Sequence, residues 1–110
     1  MIVTKHATRR IRSRVGIAKG GAERVAGRAL EKGISHGETS GPLHGYMTRL
    51  FFKYKTATNL RIWCNYVYVF CDETLVTVFQ LPPELRKQAE KIGNRKAGKR
   101  KAGRGRETEA

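Results

Sequence analysis

Residues 60–81 read LRIWCNYVYVFCDETLVTVFQL, and almost every position is β-branched, aromatic or apolar. That composition favours strands. Two interruptions, Cys64-Asn65-Tyr66 and Asp72-Glu73-Thr74, predict three short strands joined by tight hairpins. In the middle strand Tyr66, Tyr68 and Phe70 share one face, and Val67, Val69 and Cys71 share the other. Both faces are apolar, so this strand is expected to be central, with helices packed on at least one side. Pro82-Pro83 ends the meander, because proline cannot donate to a strand ladder.

Upstream, Ile2-Val3-Thr4 reads as a first strand. From Lys5 to Val15 the pattern is helical: Ala7, Ile11 and Val15 make a narrow apolar stripe, Thr4 is placed to cap its start and Gly16 its end. A second helix is expected from Gly20 to Lys32, with Ala22, Val25, Ala26, Ala29 and Leu30 at helical spacing and Gly33 as its stop. Gly33 to Pro42 is a loop by composition. Leu43, Met47, Leu50, Phe51 and Tyr54 predict a third helix over Leu43–Tyr54, a strand over Arg49–Lys55 being the alternative; Glu84 to Lys91 reads as a short last helix. The fold class expected is therefore α+β, with two to three N-terminal helices on a small antiparallel sheet made of the N-terminal strand and the C-terminal meander.

A chain of 110 residues is one small domain's worth, too short for a doubly wound or barrel enzyme. The compact domain is expected to span residues 1–91, followed by a basic tail over 92–110. Residues 92–106 hold seven basic side chains and no acid or aromatic, so the tail is expected to be disordered and dispensable for folding. No apolar run approaches a membrane span, and none marks a secretory signal, so a membrane partner is not expected. Cys64 and Cys71 read as small buried thiols of a cytoplasmic protein, and neither belongs to a Cys-x-x-Cys pair that would hold zinc.

Charge indicates the partner. The net charge is +14, and residues 1–82 alone carry 13 basic and 5 acidic residues, +8. An excess of this size points to a polyanion, nucleic acid first. Within the first helix His6, Arg10 and Arg14 are spaced i, i+4, i+8, so they form a row at the edge of the apolar stripe, where a groove would lie. Neutral imidazole can move a proton and guanidinium can grip phosphate in bidentate fashion, which together suit a phosphodiester; the other reading of the row is a solvated basic face. His36 and His44, flanking the loop, are weaker candidates for reaching a substrate, and Tyr54 and Trp63 are the better candidates for stacking on bases. The carboxylates of the body, Glu23, Glu31, Glu38, Asp72 and Glu73, are scattered, and no phosphate-binding Gly-rich loop is present. No metal or cofactor is expected. Cleavage without a metal would require RNA, whose 2′-hydroxyl supplies the nucleophile.

The opening Val3-Thr4-Lys5-His6-Ala7, followed by Arg10, Arg14, Gly16 and Ile17, resembles a His-Ala-x-x-Arg…Arg-x-Gly-Ile signature of small bacterial and phage proteins. The closing Tyr68-Val69-Phe70…Leu75-Val76-Thr77-Val78…Leu81-Pro82 is similar to their last hairpin. Such proteins resemble the RelE/BrnT-like group, in which helices pack on a small antiparallel sheet and members are often metal-independent ribonuclease toxins. The resemblance covers residues 2–82 and implies catalytic roles for His6, Arg10, Arg14 and Thr77. Arg12-Ser13 stands where an acidic residue is often seen between the two arginines.

The function expected is RNA binding, with metal-independent RNA cleavage of toxin type as the candidate activity. The alternative is a non-enzymatic, phage-encoded protein that binds and inhibits a host nucleoprotein. Under these readings the protein partners are an antitoxin, a ribosome or a CRISPR-type defence complex. Beyond the row, Arg9, Arg12, Lys53, Lys55, Arg61, Arg95, Lys96, Lys99, Arg100, Lys101, Arg104 and Arg106 are the expected nucleic-acid contacts. RNA affinity should then fall steeply with salt, by a logarithmic slope of about 0.7 per single-strand phosphate contacted. Filter binding at several salt concentrations checks this, and a salt-independent affinity would rule phosphate contacts out.

Overall fold

The computed structural model describes residues 2–16 and 21–109, with side chains as far as Lys96. Its elements are β1 (Ile2–Val3), α1 (Lys5–Arg10), a π-helical turn (Ile11–Val15), α2 (Ala22–Lys32), β2 (Ile34–Ser35), a 3-10 turn (His36–Glu38), α3 (Gly41–Lys53), β3 (Asn59–Trp63), β4 (Tyr66–Cys71), β5 (Thr74–Gln80) and α4 (Pro83–Glu109). The fold is α+β, as the composition and periodicity led one to expect. The strands form a single sheet in the order β1-β5-β4-β3-β2.

The meander forms as its sequence predicts. Cys64 and Asn65, at φ 51° and 66°, take the left-handed backbone that a two-residue type I′ turn demands at both positions. Strand β4 is central and its two faces enter different cores. Tyr68 and Phe70 pack with Leu75 and Val78 against Ala7 and Ile11 of the first helical segment and Ala22, Ala26 and Ala29 of α2. Alanines at helical spacing let α2 approach closely enough for the two large rings to fit beneath it. On the other face Val67 and Val69 join Leu60 and Ile62 of β3, Leu43, Met47 and Leu50 of α3, and Ala89 and Ile92 of α4. Helices therefore cover both sides of the sheet.

A bulge shapes β5. Val69 pairs with Thr77 while Phe70 pairs with Leu75, so Val76 is the extra residue. Strict alternation would put Leu75, Thr77 and Phe79 on one face. The bulge instead sends Leu75 and Val78 into the α1/α2 core, and Phe79 packs on the core beneath α3.

Several expectations are corrected. The sheet is mixed rather than antiparallel, because β1 runs parallel to β5, with Ile2 opposite Thr74 and Val3 opposite Leu75. Two residues of β1 were too short for the sequence to reveal direction. The Gly33–Pro42 segment contains β2, paired antiparallel with β3 through Ile34 and Ile62, and the 3-10 turn. Ser35 and Glu38 close a capping box around that turn, a local signal hidden among loop-type residues. Helix α3 begins at Gly41 with Pro42 in its first turn and runs to Lys53, so the strand alternative for Arg49–Lys55 falls. Cys64 is exposed and Cys71 half-buried, not the buried pair expected. The expected start of α2 at Gly20 lies outside the described residues.

The last helix does not stop at Lys91. Ile92 is buried among the side chains of the α3/α4 core, and Lys96 donates to the carbonyls of Lys32 and Gly33 and to Glu38. Disorder is therefore not found for 92–96; the backbone continues helical to Glu109, and the side chains from residue 97 lie outside those described. The error came from composition, which diluted a single buried isoleucine in a stretch of lysine, arginine and glycine. A chain ending at Lys91 is accordingly expected to be about 2 kcal/mol less stable to urea than one ending at Lys96, chiefly through loss of Ile92 burial. Equal midpoints for the two chains would show that this turn of α4 contributes nothing.

Candidate nucleic-acid site

Thr4 and the residues after it aim the basic row. The Thr4 hydroxyl accepts from the Ala7 amide at 3.0 Å and so starts α1, while itself donating to the Val76 carbonyl at 3.2 Å. Ala7 and Ile11 are fully buried and hold the helix against the sheet. In an unbroken α-helix residues 6, 10 and 14 would fan out by about 40° at each step. The π-helical turn carries extra residue per turn, closed by the Gly16 amide on the Ile11 carbonyl at 3.0 Å, and takes back part of that drift for Arg14. Gly16, at φ 79°, then ends the helix in the left-handed region.

The row opens into a cleft of about 550 Å³ lined by His6, Arg10, Arg14, Tyr46, Leu50, Lys53, Tyr54, Val76, Thr77 and Phe79. His6 Nε2 lies 3.2 Å from the Thr77 hydroxyl and accepts from Arg10 Nε at a longer 3.4 Å. With Nε2 accepting from Arg10, the neutral ring carries its proton on Nδ1, and its one basic lone pair is engaged by that guanidinium. Arg14 spends one N–H on the Val78 carbonyl at 3.4 Å, and its own carbonyl is held by the Tyr66 hydroxyl. Both guanidiniums keep unused donors. Across the cleft, helix α3 contributes Lys53, whose ammonium sits 5.6 Å from the Tyr54 ring centroid. The Tyr54 and Phe79 rings lie nearly parallel, at 19° and 6.0 Å. Burial above all, with the neighbouring Tyr54, pushes the Tyr46 hydroxyl above its ordinary range, so it stays a proton-bearing donor. No lining residue is acidic.

The four residues implied by the resemblance thus converge, although 71 positions separate His6 from Thr77. The bulge at Val76 is what allows it, since it turns Thr77 away from the face of Leu75. Lys53 and Tyr54, noted in the sequence for charge and stacking, meet them there. Tyr46 and Phe79 were missed. Tyr46 lies one turn before Leu50 and could have been found from that spacing, but nothing local marks Phe79.

Other candidates are elsewhere. Arg9 and Arg12 are exposed on the outer side of the first helical segment, and Lys55 and Arg95 are exposed outside the cleft lining. Arg61 is engaged with Asn59 and the Gly33 carbonyl, and Lys96 with Glu38 at 2.9 Å, so both serve the fold. Burial works to raise the Glu38 pKa, but hydrogen bonds from Ser35 and Lys96 overcome it and hold the carboxyl below its ordinary range. Lys99, Arg100, Lys101, Arg104 and Arg106 lie outside the described side chains. Trp63 packs with the α1/α2 core and lines a separate groove of about 360 Å³ beside Lys32 and Lys96. Among the described residues no cluster of His, Cys, Asp or Glu could hold a metal ion, and no helix is long and apolar enough to cross a membrane.

His36 and His44 do not face the cleft. Their rings stack at 4.1 Å, His36 Nε2 pairs with the Thr48 hydroxyl at 2.8 Å, and His44 Nδ1 lies 3.1 Å from the Thr39 hydroxyl. The pair joins the 3-10 turn to α3. The chain matches no family model, no curated protein and no solved structure.

Desolvation, then the neighbouring His44, holds the His36 pKa below its ordinary 6.5. The folded state therefore favours neutral His36. Its contribution to stability is complete above the unfolded value and is lost as pH falls through the imidazole range toward the lowered folded value. Urea midpoints should drop between pH 8 and pH 5, and His36→Gln should flatten that drop. An equal drop in the variant would remove His36 as the cause.

Proposed function

We propose that this chain binds RNA in the cleft between the His6 row and α3 and cuts it without a metal ion. The reading rests on one observation: His6 and Thr77 meet three cations, Arg10, Arg14 and Lys53, in a cleft with no carboxylate among its lining residues and with the Tyr54 and Phe79 rings on its wall. Cations without carboxylates favour a phosphodiester over a metal-bound substrate. The aromatic wall suits a base.

The chemistry follows from the groups present. The RNA 2′-hydroxyl displaces the long Arg10 contact from His6 Nε2, whose lone pair then accepts the hydroxyl proton as that oxygen attacks the adjacent phosphorus. Arg10, Arg14 and Lys53 neutralise the charge that gathers on the phosphoryl oxygens. The bond to the 5′-oxygen breaks, and that oxygen takes a proton from the Lys53 ammonium or the Tyr46 hydroxyl. The products are a 2′,3′-cyclic phosphate and a 5′-hydroxyl. The Thr77 hydroxyl, 3.2 Å from Nε2, accepts from the imidazolium that results. This is the activity that likeness to the RelE/BrnT-like group implies, reached here from the cleft itself.

Total RNA incubated with the purified protein in EDTA should be degraded to ends bearing cyclic phosphate. His6→Ala should slow cleavage by about 10²- to 10⁴-fold, the usual contribution of a general base, while leaving binding nearly intact. Arg10→Ala and Arg14→Ala should each weaken binding by roughly 1.5–3 kcal/mol. If His6→Ala changes nothing while the double arginine variant loses RNA, the cleft only binds. The chain would then act by occupying a host nucleoprotein such as the ribosome.

A further inference from the structure

Arg14 is the one member of the basic row that lies in the π-helical turn, His6 and Arg10 belonging to α1. Helical turns of this kind are rare and occur mostly singly, often at functional sites. The Gly16 amide closes this one on the Ile11 carbonyl, but Arg14 sits in its last turn, where peptide carbonyls have no donor within the helix. The donor comes from the sheet. Tyr66, the first residue of β4, places its hydroxyl 2.5 Å from the Arg14 carbonyl, across 52 positions of sequence. The Tyr66 ring and the Val15 side chain both pack against the core that holds Tyr68 and Phe70. A phenylalanine would pack there as well, so what the hydroxyl adds is the bond to Arg14. Arg14 is thereby held at two points, its carbonyl by Tyr66 of β4 and its guanidinium by the Val78 carbonyl of β5. The guanidinium contact is long, at 3.4 Å, and the hydroxyl bond is short, so the backbone anchor is the firmer of the two. Tyr66 itself is not among the residues lining the cleft.

We infer that Tyr66 is a positioning residue for the cleft: its hydroxyl fixes the backbone of the π-helical turn and so keeps the Arg14 guanidinium aimed at the phosphate. This rests on the proposed RNA reading and adds to it a residue outside the contact surface. Without the bond the turn can relax, and Arg14 drifts around the helix toward the place an unbroken α-helix would give it. The cleft then keeps the arginine but not its alignment. A ligand that binds the aligned state loses affinity in proportion to the chains that leave that state. The loss cannot exceed what the bond contributes, which for a neutral hydrogen bond of ordinary net strength is about 2- to 12-fold.

The test is a double-mutant cycle on the full chain, read by fluorescence anisotropy with a short single-stranded 2′-O-methyl oligoribonucleotide, which cannot be cleaved. Tyr66→Phe keeps the ring and removes only the hydroxyl. It should weaken binding by about 2- to 12-fold in the native background and by nothing further in the Arg14→Ala background. In the free protein, hydrogen exchange at the Gly16 amide should quicken in Tyr66→Phe, because the turn which that amide closes has lost its anchor. A loss of equal size in both backgrounds would mean that the hydroxyl supports the fold at large, and it would overturn the assignment. Unchanged binding by Tyr66→Phe, in a chain that loses RNA on Arg14→Ala, would overturn it too and leave the cleft reading standing. If the native chain does not bind the oligonucleotide, both readings fail together.

Discussion

The carbonyls of β5 beyond Leu75 must find hydrogen-bond donors, and much of the molecule is arranged around that need. Strand β1 ends at Val3, so it covers β5 only as far as Leu75. Past that point an open edge would invite pairing with another chain. Thr4 and Arg14 supply the donors instead, reaching the Val76 and Val78 carbonyls from the first helical segment. The helix that shields the edge is therefore also the helix that carries the basic row. Its position is set by backbone chemistry before any ligand is considered. With α3 on the opposite side of the sheet, the space between row and helix becomes a cleft.

That dependence explains which parts of the structure were legible in the sequence. The meander was, because period-two alternation and the polar pairs at its turns are local signals. The first helix was as well, since its stripe, Thr4 and Gly16 all lie within one short segment. The direction of β1 was not, because two residues carry no periodicity and parallel pairing depends on a partner more than seventy positions away. Nor was the bulge: Val76 looks like any other residue of an apolar strand, and only the ladder shows that it is extra. The candidate site was half visible. His6, Arg10 and Arg14 follow from helical spacing, whereas Thr77 entered through a resemblance and Phe79 not at all.

Charge was read correctly in total but not in its uses. Arg61 and Lys96 looked in composition like further ligands for a polyanion, yet each closes carbonyls around Gly33. A Cβ at Gly33 would collide with the Ala29 carbonyl, so the chain passes very close to α2 there. That tight passage leaves peptide oxygens which long basic side chains can reach. The same need binds α4 to the body farther along its length than its composition implies.

The cleft joins the two ends of the folded chain, with His6 on one wall and Thr77 and Phe79 on another. During synthesis the basic row emerges before β5, the strand that completes the cleft. Pairing β1 with β5 also closes the longest loop in the sheet and carries the largest entropic cost of any pairing there. A nascent chain that lacks β5 has the imidazole and guanidiniums of the row but not the Val76, Thr77 and Phe79 side of the cleft. A protein with this topology cannot assemble its cleft until β5 has been made and has paired with β1.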